Sequence, residues 1–136
     1  MSYFLDTSTC VALLRPGSSL VRRRAEQAIF SGERLLLSSI VIYELWYGVQ
    51  KSERVAENIR KLQSLLSGSV ETCPFYEDDA RTAGEIRAQL ELSGRGIGAY
   101  DTLIAGQCLN HNFTLVTANV SEFRRVKGLR WEDWTK

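Results

Sequence analysis

Four acidic side chains occupy positions where charge is otherwise scarce or where a predicted strand ends: Asp6, Glu44, Asp101 and Glu122. Glu44 is the only charged residue in the segment 40–48, and Asp101 is the only one in the segment 99–110. A charged group inside an apolar segment is unfavourable unless it is paired, hydrogen-bonded or bound to a cation. No basic residue adjoins Asp6, Glu44 or Asp101 along the chain. Each must therefore find its partner elsewhere in the fold or in a metal ion.

Carboxylates that converge on one cleft raise each other's pKa values by mutual repulsion, and a divalent cation removes that conflict. Oxygen ligands suit Mg²⁺ or Mn²⁺, whereas the single histidine, His111, and three cysteines without a C-x-x-C pair argue against Zn²⁺. A Mg²⁺ ion held by a few carboxylates can polarise a phosphoryl oxygen and generate a hydroxide nucleophile. The residue types therefore indicate phosphodiester hydrolysis, and the lone histidine excludes a mechanism based on a histidine pair.

Each acidic residue also has an alternative, purely structural interpretation. Asp6 could cap the helix predicted directly after it, because Asp is a favoured N-cap residue. Asp101 in a first helical turn interacts favourably with the helix dipole, and Glu122 taken alone suits a surface position. Glu44 lacks such a role, since it lies within an apolar helix. Taken together, Asp6, Glu44 and Asp101 favour a functional cluster.

Length and composition indicate one globular domain, which we assign to residues 1–136. Hydrophobic residues make up 44% and charged residues 24%, close to the averages for soluble domains. No segment approaches the ~20 apolar residues of a membrane helix, and the first residues lack the pattern of a secretory signal. The cysteine usage predicts a reducing, cytoplasmic environment rather than a disulfide framework. We therefore expect a cytoplasmic protein that does not contact a membrane.

The basic residues offer candidate contacts for a phosphate backbone. The net charge of +1 announces no polyanionic partner, but most of the basic residues are arginines, which suit bidentate phosphate contacts. Three consecutive arginines on a helix span about 200° of its circumference, so they cannot all face one ligand. The candidate backbone contacts are Arg22, Arg23, Arg24, Arg87 and Arg95.

Strand-like and helix-like segments alternate along the chain without hairpin signals, which predicts an α/β fold with a central parallel sheet. The predicted strands are residues 3–5, 35–37, 70–73, 114–117 and 129–131. The predicted helices are residues 7–14, 19–30, 40–51, 53–66, 99–110 and one from a cap at Asp78 or Asp79 to residue 92. His111 is expected to be an exposed residue at a helix end. In such sheets ligands bind outside the carboxyl ends of the strands.

Five short motifs in this order resemble the PIN-domain ribonucleases, and more closely the VapC-type toxins of bacterial toxin–antitoxin pairs. They are Phe4-Leu5-Asp6-Thr7-Ser8, Tyr43-Glu44-Leu45-x-Tyr47-Gly48, Ile86-Arg87-Ala88-x-Leu90, Gly94-Arg95-x-Ile97-Gly98-x-x-Asp101 and Val116-Thr117-x-Asn119-x-x-Glu122-Phe123. The resemblance covers essentially the whole chain. It implies a PIN-like three-layer α/β/α fold with a central twisted parallel sheet of about five strands.

The resemblance also implies which residues form the site. Asp6, Glu44 and Asp101 would hold Mg²⁺, for which Mn²⁺ could substitute, and Glu122 would join them as a catalytic residue. Asn119 could coordinate through its carbonyl oxygen, and Thr7 or Ser8 could hydrogen-bond a carboxylate or a metal-bound water.

The function implied is that of an endoribonuclease toxin that cleaves structured RNA, such as tRNA, through attack on phosphorus by a metal-activated water. The implied partners are the RNA substrate, a small cognate antitoxin whose tail enters the acidic cleft, and a second toxin subunit in a homodimer and hetero-oligomer. Two alternatives are a catalytically silent PIN-fold protein that only binds a partner, and a metal-dependent DNase or flap-type nuclease.

Overall fold

Five short strands form a single parallel sheet in the computed structural model, which describes residues 1–17 and 19–136. The strands are β1 (Ser2–Leu5), β2 (Arg34–Ser38), β3 (Val70–Cys73), β4 (Thr114–Val116) and β5 (Arg130–Glu132). The helices of the described residues are α1 (Thr7–Leu14), α2 (Leu20–Phe30), α3 (Ser39–Lys51), α4 (Val55–Leu66), α5 (Glu77–Leu92), α6 (Ala99–Asn110) and α7 (Val120–Phe123). The predicted α/β class is confirmed.

The strand order β3–β2–β1–β4–β5 places the first strand at the centre of the sheet. Tyr3 of β1 pairs with Leu35 on one side and with Thr114 on the other. Successive strands extend the sheet first in one direction from β1 and then in the other, so the connecting helices cover both faces. This reversal creates a crevice outside the carboxyl ends of β1 and β4, where ligands of doubly wound sheets bind.

The central strands consist almost entirely of buried apolar side chains, as expected for a parallel sheet that is covered on both faces. Phe4 and Leu5 of β1 are fully buried, and so are Leu115 and Val116 of β4. The short apolar runs of the sequence therefore form the core, and the residues that follow them emerge at one edge of the sheet.

Side-chain caps fix the start of two helices at that edge. The Asp6 carboxylate accepts a hydrogen bond from the backbone N–H of Thr9 at 2.9 Å, and the Ser38 hydroxyl accepts one from the N–H of Ile40 at 3.0 Å. Such caps satisfy amides that have no partner within the helix. The cap that the sequence suggested at Asp6 is thus confirmed, Ser38 caps α3 in the same way, and both caps set the direction in which the helices leave the sheet.

The predicted cap of α5 is wrong. This helix begins at Glu77, with Tyr76 in the capping position, and Asp79 is buried instead. Its carboxylate accepts hydrogen bonds from the Tyr76 N–H and the Asn110 side chain, both at 2.9 Å, and lies 3.0 Å from Nε2 of His111. These contacts join α5 to the end of α6. His111 does occupy the exposed helix end expected of it, and the same ring also reaches Asp79.

The helices α5 and α6 approach each other closely at a glycine. A Cβ atom placed on Gly106 of α6 would lie 2.6 Å from both Cα and Cβ of Ala83 on α5, well inside van der Waals contact. Only a residue without a side chain fits there. The helix that carries Asp101 is therefore packed directly against the backbone of α5.

Three of the five arginines considered for RNA contacts have partners within the protein. Arg87 pairs with Glu91 one helical turn away, and Arg24 donates to the backbone carbonyl of Lys136. The guanidinium of Arg22 donates to carbonyls at the end of α1, which otherwise lack partners: those of Leu13, Arg15 and Gly17. The proposal that Arg22 contacts RNA is replaced by this structural role. Arg23 and Arg95 stay predictions.

In the described part of the chain, no helix combines the length and the apolar character needed to cross a bilayer.

Candidate functional site

Asp6 lies immediately after β1, at the crevice between β1 and β4, and is almost completely buried. The backbone N–H of Asp6 donates to the carbonyl of Val116, which fixes it against the end of β4. Its Oδ1 accepts two hydrogen bonds at 2.9 Å, from the Ser8 hydroxyl and from the Thr9 N–H. Among the described residues, Oδ2 accepts no hydrogen bond. One oxygen therefore orients the carboxylate and leaves the other to face a ligand.

Glu44 lies in the second turn of α3 and is half-buried. Its Oε1 accepts a 2.7 Å hydrogen bond from the Thr7 hydroxyl, which belongs to the first turn of α1. Because Thr7 follows Asp6 directly, this bond brings Glu44 to the region of Asp6 across 37 residues of sequence. Glu44, for which the sequence suggested no structural role, is thus held by a neutral hydroxyl donor. Among residues 1–17 and 19–136, no cationic side chain pairs with it.

Asp101 is the carboxylate whose pKa is affected by the charges of the other acidic residues of the site. It lies in the first turn of α6, whose N-cap residue is Gly98. Burial raises the pKa of Asp101 to about 6, with further upward contributions from the charges of Asp6, Glu122 and Glu44. Only the side chain of Asn119 opposes this shift. Three of the four acidic residues identified in the sequence therefore act on the carboxyl group of the fourth.

Glu122 and Asn119 come from the segment after β4, which forms the short helix α7. This helix was not predicted, because its four residues provide no periodic apolar pattern. The Asn119 side chain donates to Glu122 Oε2 at 3.0 Å, and its backbone N–H donates to the Thr117 hydroxyl at 2.9 Å. The Asn119 amide therefore holds Glu122 and also acts on Asp101, whose pKa it lowers through a side-chain hydrogen bond.

The donor set of this cluster suits a hard divalent cation. The groups are carboxylates, an amide carbonyl and hydroxyls, which are the ligands that Mg²⁺ and Mn²⁺ prefer. Burial is the main reason that the pKa of Asp101 is raised, and the charges of Asp6, Glu122 and Glu44 add repulsion that a bound cation would offset. Within the described ranges, no three acidic, histidine or cysteine side chains are already closed into a metal-binding group. What connects these side chains is the Thr7–Glu44 hydrogen bond next to Asp6 and the effect of Asp6, Glu122 and Glu44 on the pKa of Asp101.

We expect the affinity for Mg²⁺ or Mn²⁺ to fall steeply below about pH 6, because the cation must displace the proton that Asp101 holds there. Well below that pH, one displaced proton corresponds to about a tenfold loss of affinity per pH unit. Calorimetric titration with Mn²⁺ between pH 5 and pH 8 measures this slope. The Asp101→Asn variant is the control, since it has no proton to displace. A wild-type affinity that stays constant across this range would contradict the assignment of Asp101 as a ligand.

Two tyrosines at the edge of the cluster were only partly anticipated from the sequence. Tyr43 on α3 and Tyr100 on α6 have exposed rings whose centroids lie 5.6 Å apart, and their hydroxyl oxygens are 3.4 Å apart. Trp46, by contrast, packs against the core. The only signal in the sequence is that each of these tyrosines directly precedes an acidic residue of the site.

An apolar groove borders the acidic cluster on its other side. It encloses a cavity of about 320 Å³ between α1, α3 and α4, and both Thr7 and Glu44 reach it. Its apolar wall includes Val11, Leu14 and Leu45, while Lys61 and Arg15 add positive charge. The sequence predicted neither this groove nor the proximity of Lys61 to Glu44, because α4 is positioned only by tertiary packing.

Comparison with known proteins shows similarity along the whole chain. The sequence matches the PIN domain family over residues 3–129. It is 38% identical to Ribonuclease VapC2 of Rickettsia felis, covering 100% of both chains, and 32% identical to the tRNA(fMet)-specific endonuclease VapC of Shigella flexneri, covering 99% of both. A chain in the crystal structure of VapBC2 from Rickettsia felis bound to a DNA fragment from their promoter superposes with a TM-score of 0.92. That match has 36% sequence identity and covers 98% of this chain and 99% of the other.

Proposed function

This chain belongs to the PIN-domain family and, within it, to the VapC ribonucleases, and on that basis we propose that it is a Mg²⁺-dependent endoribonuclease acting as the toxin of a toxin–antitoxin pair. The observation that carries the metal dependence is the convergence of Asp6, Glu44 and Glu122 on Asp101, whose pKa is raised to about 6. A cluster of this kind favours a divalent cation over a proton at neutral pH.

Asp6, Glu44 and Asp101 would hold the cation. Asp6 and Glu44 are each oriented by hydroxyl donors next to β1, namely Ser8 and Thr7. When bound, the cation polarises a phosphate oxygen and activates water for attack on phosphorus. The protein contributes preorganisation, because the oxygens that meet the substrate phosphate are fixed before it arrives.

We assign to Glu122 the acceptance of the proton that the attacking water releases. The side chain of Glu122 is half-buried, is held through one oxygen by Asn119, and its charge contributes to the raised pKa of Asp101. A carboxylate near water that is not needed as a metal ligand suits general base catalysis. Asn119 then acts as the residue that orients Glu122.

The proposed substrate is a structured RNA, with tRNA as the first candidate. The Shigella flexneri relative, which is 32% identical, bears the name tRNA(fMet)-specific endonuclease, and the Rickettsia felis relative is named a ribonuclease. The acidic crevice accepts a phosphodiester only through a bound cation, so the chemistry is independent of the base. Selection of one RNA therefore depends on surfaces outside the carboxylates.

The proposed protein partners are a small antitoxin and a second toxin subunit. Solved structures of relatives are described as VapBC, and one as a toxin–antitoxin complex. The apolar groove that begins at Glu44 and Thr7 offers a surface for an antitoxin segment whose end reaches the acidic cluster. Three free cysteines are consistent with a cytoplasmic location.

Removal of the metal tests this proposal directly. We expect EDTA to abolish cleavage of a tRNA pool by the purified protein, and Mg²⁺ or Mn²⁺ to restore it, because three carboxylates alone cannot neutralise the attacked phosphate. An Asp6→Asn preparation made in parallel controls for contaminating ribonucleases. DNA of matching sequence distinguishes the alternative nuclease function. Cleavage that persists in EDTA would refute the metal dependence, and binding of RNA without any cleavage would favour the catalytically silent alternative.

A further inference from the structure

A line of exposed tyrosines runs from the acidic cluster along α3. Tyr43 and Tyr100 are 54% and 45% exposed, although they contact each other. Their hydroxyl oxygens are 3.4 Å apart, so the pair joins α3, which carries Glu44, to α6, which carries Asp101. We call Tyr100, Tyr43 and Tyr47 the tyrosine line.

The third ring and a cation extend this line away from the carboxylates. Tyr47 is 57% exposed and follows Tyr43 by four residues, which is about 6 Å along the helix axis and on the same side of the helix. The ammonium group of Lys51, one further turn along, lies 5.6 Å from the centroid of the Tyr47 ring. Glu44 projects about 100° around the helix from Tyr43, so the tyrosine line and the apolar groove lie on opposite sides of Glu44.

We propose that the tyrosine line is a stacking platform for unpaired bases of the RNA next to the cleaved phosphate. This inference rests on the proposed function and names a substrate subsite for it. Aromatic side chains bind single-stranded RNA by stacking against bases, which are uncharged and apolar on their faces. Tyr43 directly precedes Glu44 and Tyr100 directly precedes Asp101, so the bases stacked on these rings would belong to nucleotides near the cleaved phosphate. Lys51 pairs with a phosphate further along the strand.

The charges near the line favour RNA over a second copy of this chain. A symmetric dimer contact centred on Tyr43 and Tyr100 would bring two acidic clusters towards each other, because both copies present the same surface. Opposition of like charges across an interface is unfavourable. In an RNA strand, the neutral bases would contact the tyrosine rings. The phosphates would lie near the cation-binding carboxylates and near Lys51.

The test compares leucine with phenylalanine at two positions, which separates stacking from apolar contact. We expect Tyr43→Leu and Tyr100→Leu to weaken binding of a single-stranded RNA oligonucleotide about five- to a hundredfold each, the range for loss of one stacked base. Tyr43→Phe and Tyr100→Phe keep the ring and restore binding relative to leucine. Phe30→Ala is the matched control, since Phe30 is 94% exposed on α2, outside the site. The readouts are fluorescence of 2-aminopurine in the RNA, KM and kcat with tRNA, and molar mass by analytical ultracentrifugation.

The wild-type protein is first shown to cleave RNA. Three outcomes in the variants then decide whether the tyrosine line is a stacking platform. A larger change in KM than in kcat, with unchanged molar mass, supports the platform. RNA affinity equal in the leucine, phenylalanine and Phe30→Ala variants overturns it. A lower molar mass in the leucine variants also overturns it, because the tyrosines would then form a subunit interface. Absence of metal-dependent cleavage by the wild type is a failure of the proposed function and is seen before any tyrosine variant is made.

Discussion

Replacement of Asp101 by Asn is expected to remove RNA cleavage and, in the same variant, to stabilise the metal-free protein. The loss of activity should be at least about a hundredfold, because even groups that only support a metal ligand contribute about 10- to 100-fold. The gain in stability follows from the pKa of Asp101, which is about 6 in the folded protein against a usual value of 3.8. Asn is neutral at every pH and of nearly the same shape, so it removes the repulsion from Asp6, Glu122 and Glu44.

The sign of the pH dependence makes this prediction specific. Between pH 3.8 and about 6, Asp101 is protonated in the folded protein but has lost its proton in the unfolded chain. Because the folded state binds this extra proton, lowering the pH through this range increases the contribution of Asp101 to wild-type stability. The melting temperature of Asp101→Asn should therefore exceed that of the wild type at pH 7 in EDTA, and the difference should shrink towards pH 4. Asp78→Asn, at an exposed acid outside the cluster, is the control. If Asp101→Asn were less stable than the wild type at pH 7, the proposed repulsion between Asp101 and its acidic neighbours would be contradicted.

Replacement of Gly106 by Ala is expected to destabilise the protein by about 1–2 kcal/mol. The added Cβ would lie 2.6–2.7 Å from Cα, Cβ and N of Ala83, and backbone atoms cannot move aside as a flexible side chain can. Insertion of a methyl group into a packed core typically costs about 1–3 kcal/mol, which outweighs the roughly 1 kcal/mol that Ala gains over Gly in a helix. Displacement of α6 would also move Asp101, so activity should fall together with stability.

Gly84→Ala provides a matched control for this substitution. Gly84 is an exposed residue in the middle of α5, adjacent to Ala83, and a Cβ there meets nothing within 4 Å. Urea denaturation should show Gly84→Ala to be as stable as the wild type, or more stable by up to about 1 kcal/mol. If Gly106→Ala were as stable in urea as Gly84→Ala, the inferred close packing of α6 against the backbone of α5 at Gly106 would be contradicted.

Local signals in the sequence were sufficient for the order of all the elements except α7, and for the cap of α1. Asp6 and Ser38 each stand directly between an apolar strand and a helix, so the same residue marks both boundaries. The acidic cluster could also be proposed, because Asp6 closes a strand and Glu44 interrupts an apolar helix. These are features of a few neighbouring residues, which a single sequence contains.

Tertiary contacts decided what the sequence could not predict. Asp79 has the residue type and position of a cap, yet it is buried because Asn110 and His111 approach it from the end of another helix. Arg22 resembles a candidate RNA contact until its guanidinium is seen to bind carbonyls at the end of α1. In the final strand, Arg130–Glu132, the predicted bounds of 129–131 are one residue early, because partner strands rather than local pattern determine where a short strand begins.

The central place of β1 in the sheet has a consequence for biosynthesis. The first of the five strands pairs with Thr114–Val116 near the other end of the described sequence, and the proposed partners of its neighbour Asp6 include Asp101 and Glu122. A nascent chain that ends before these residues can bury the first half of the sheet, but it lacks half of the carboxylates. The proposed site is therefore complete only after the segments that carry Asp101 and Glu122 have been synthesised.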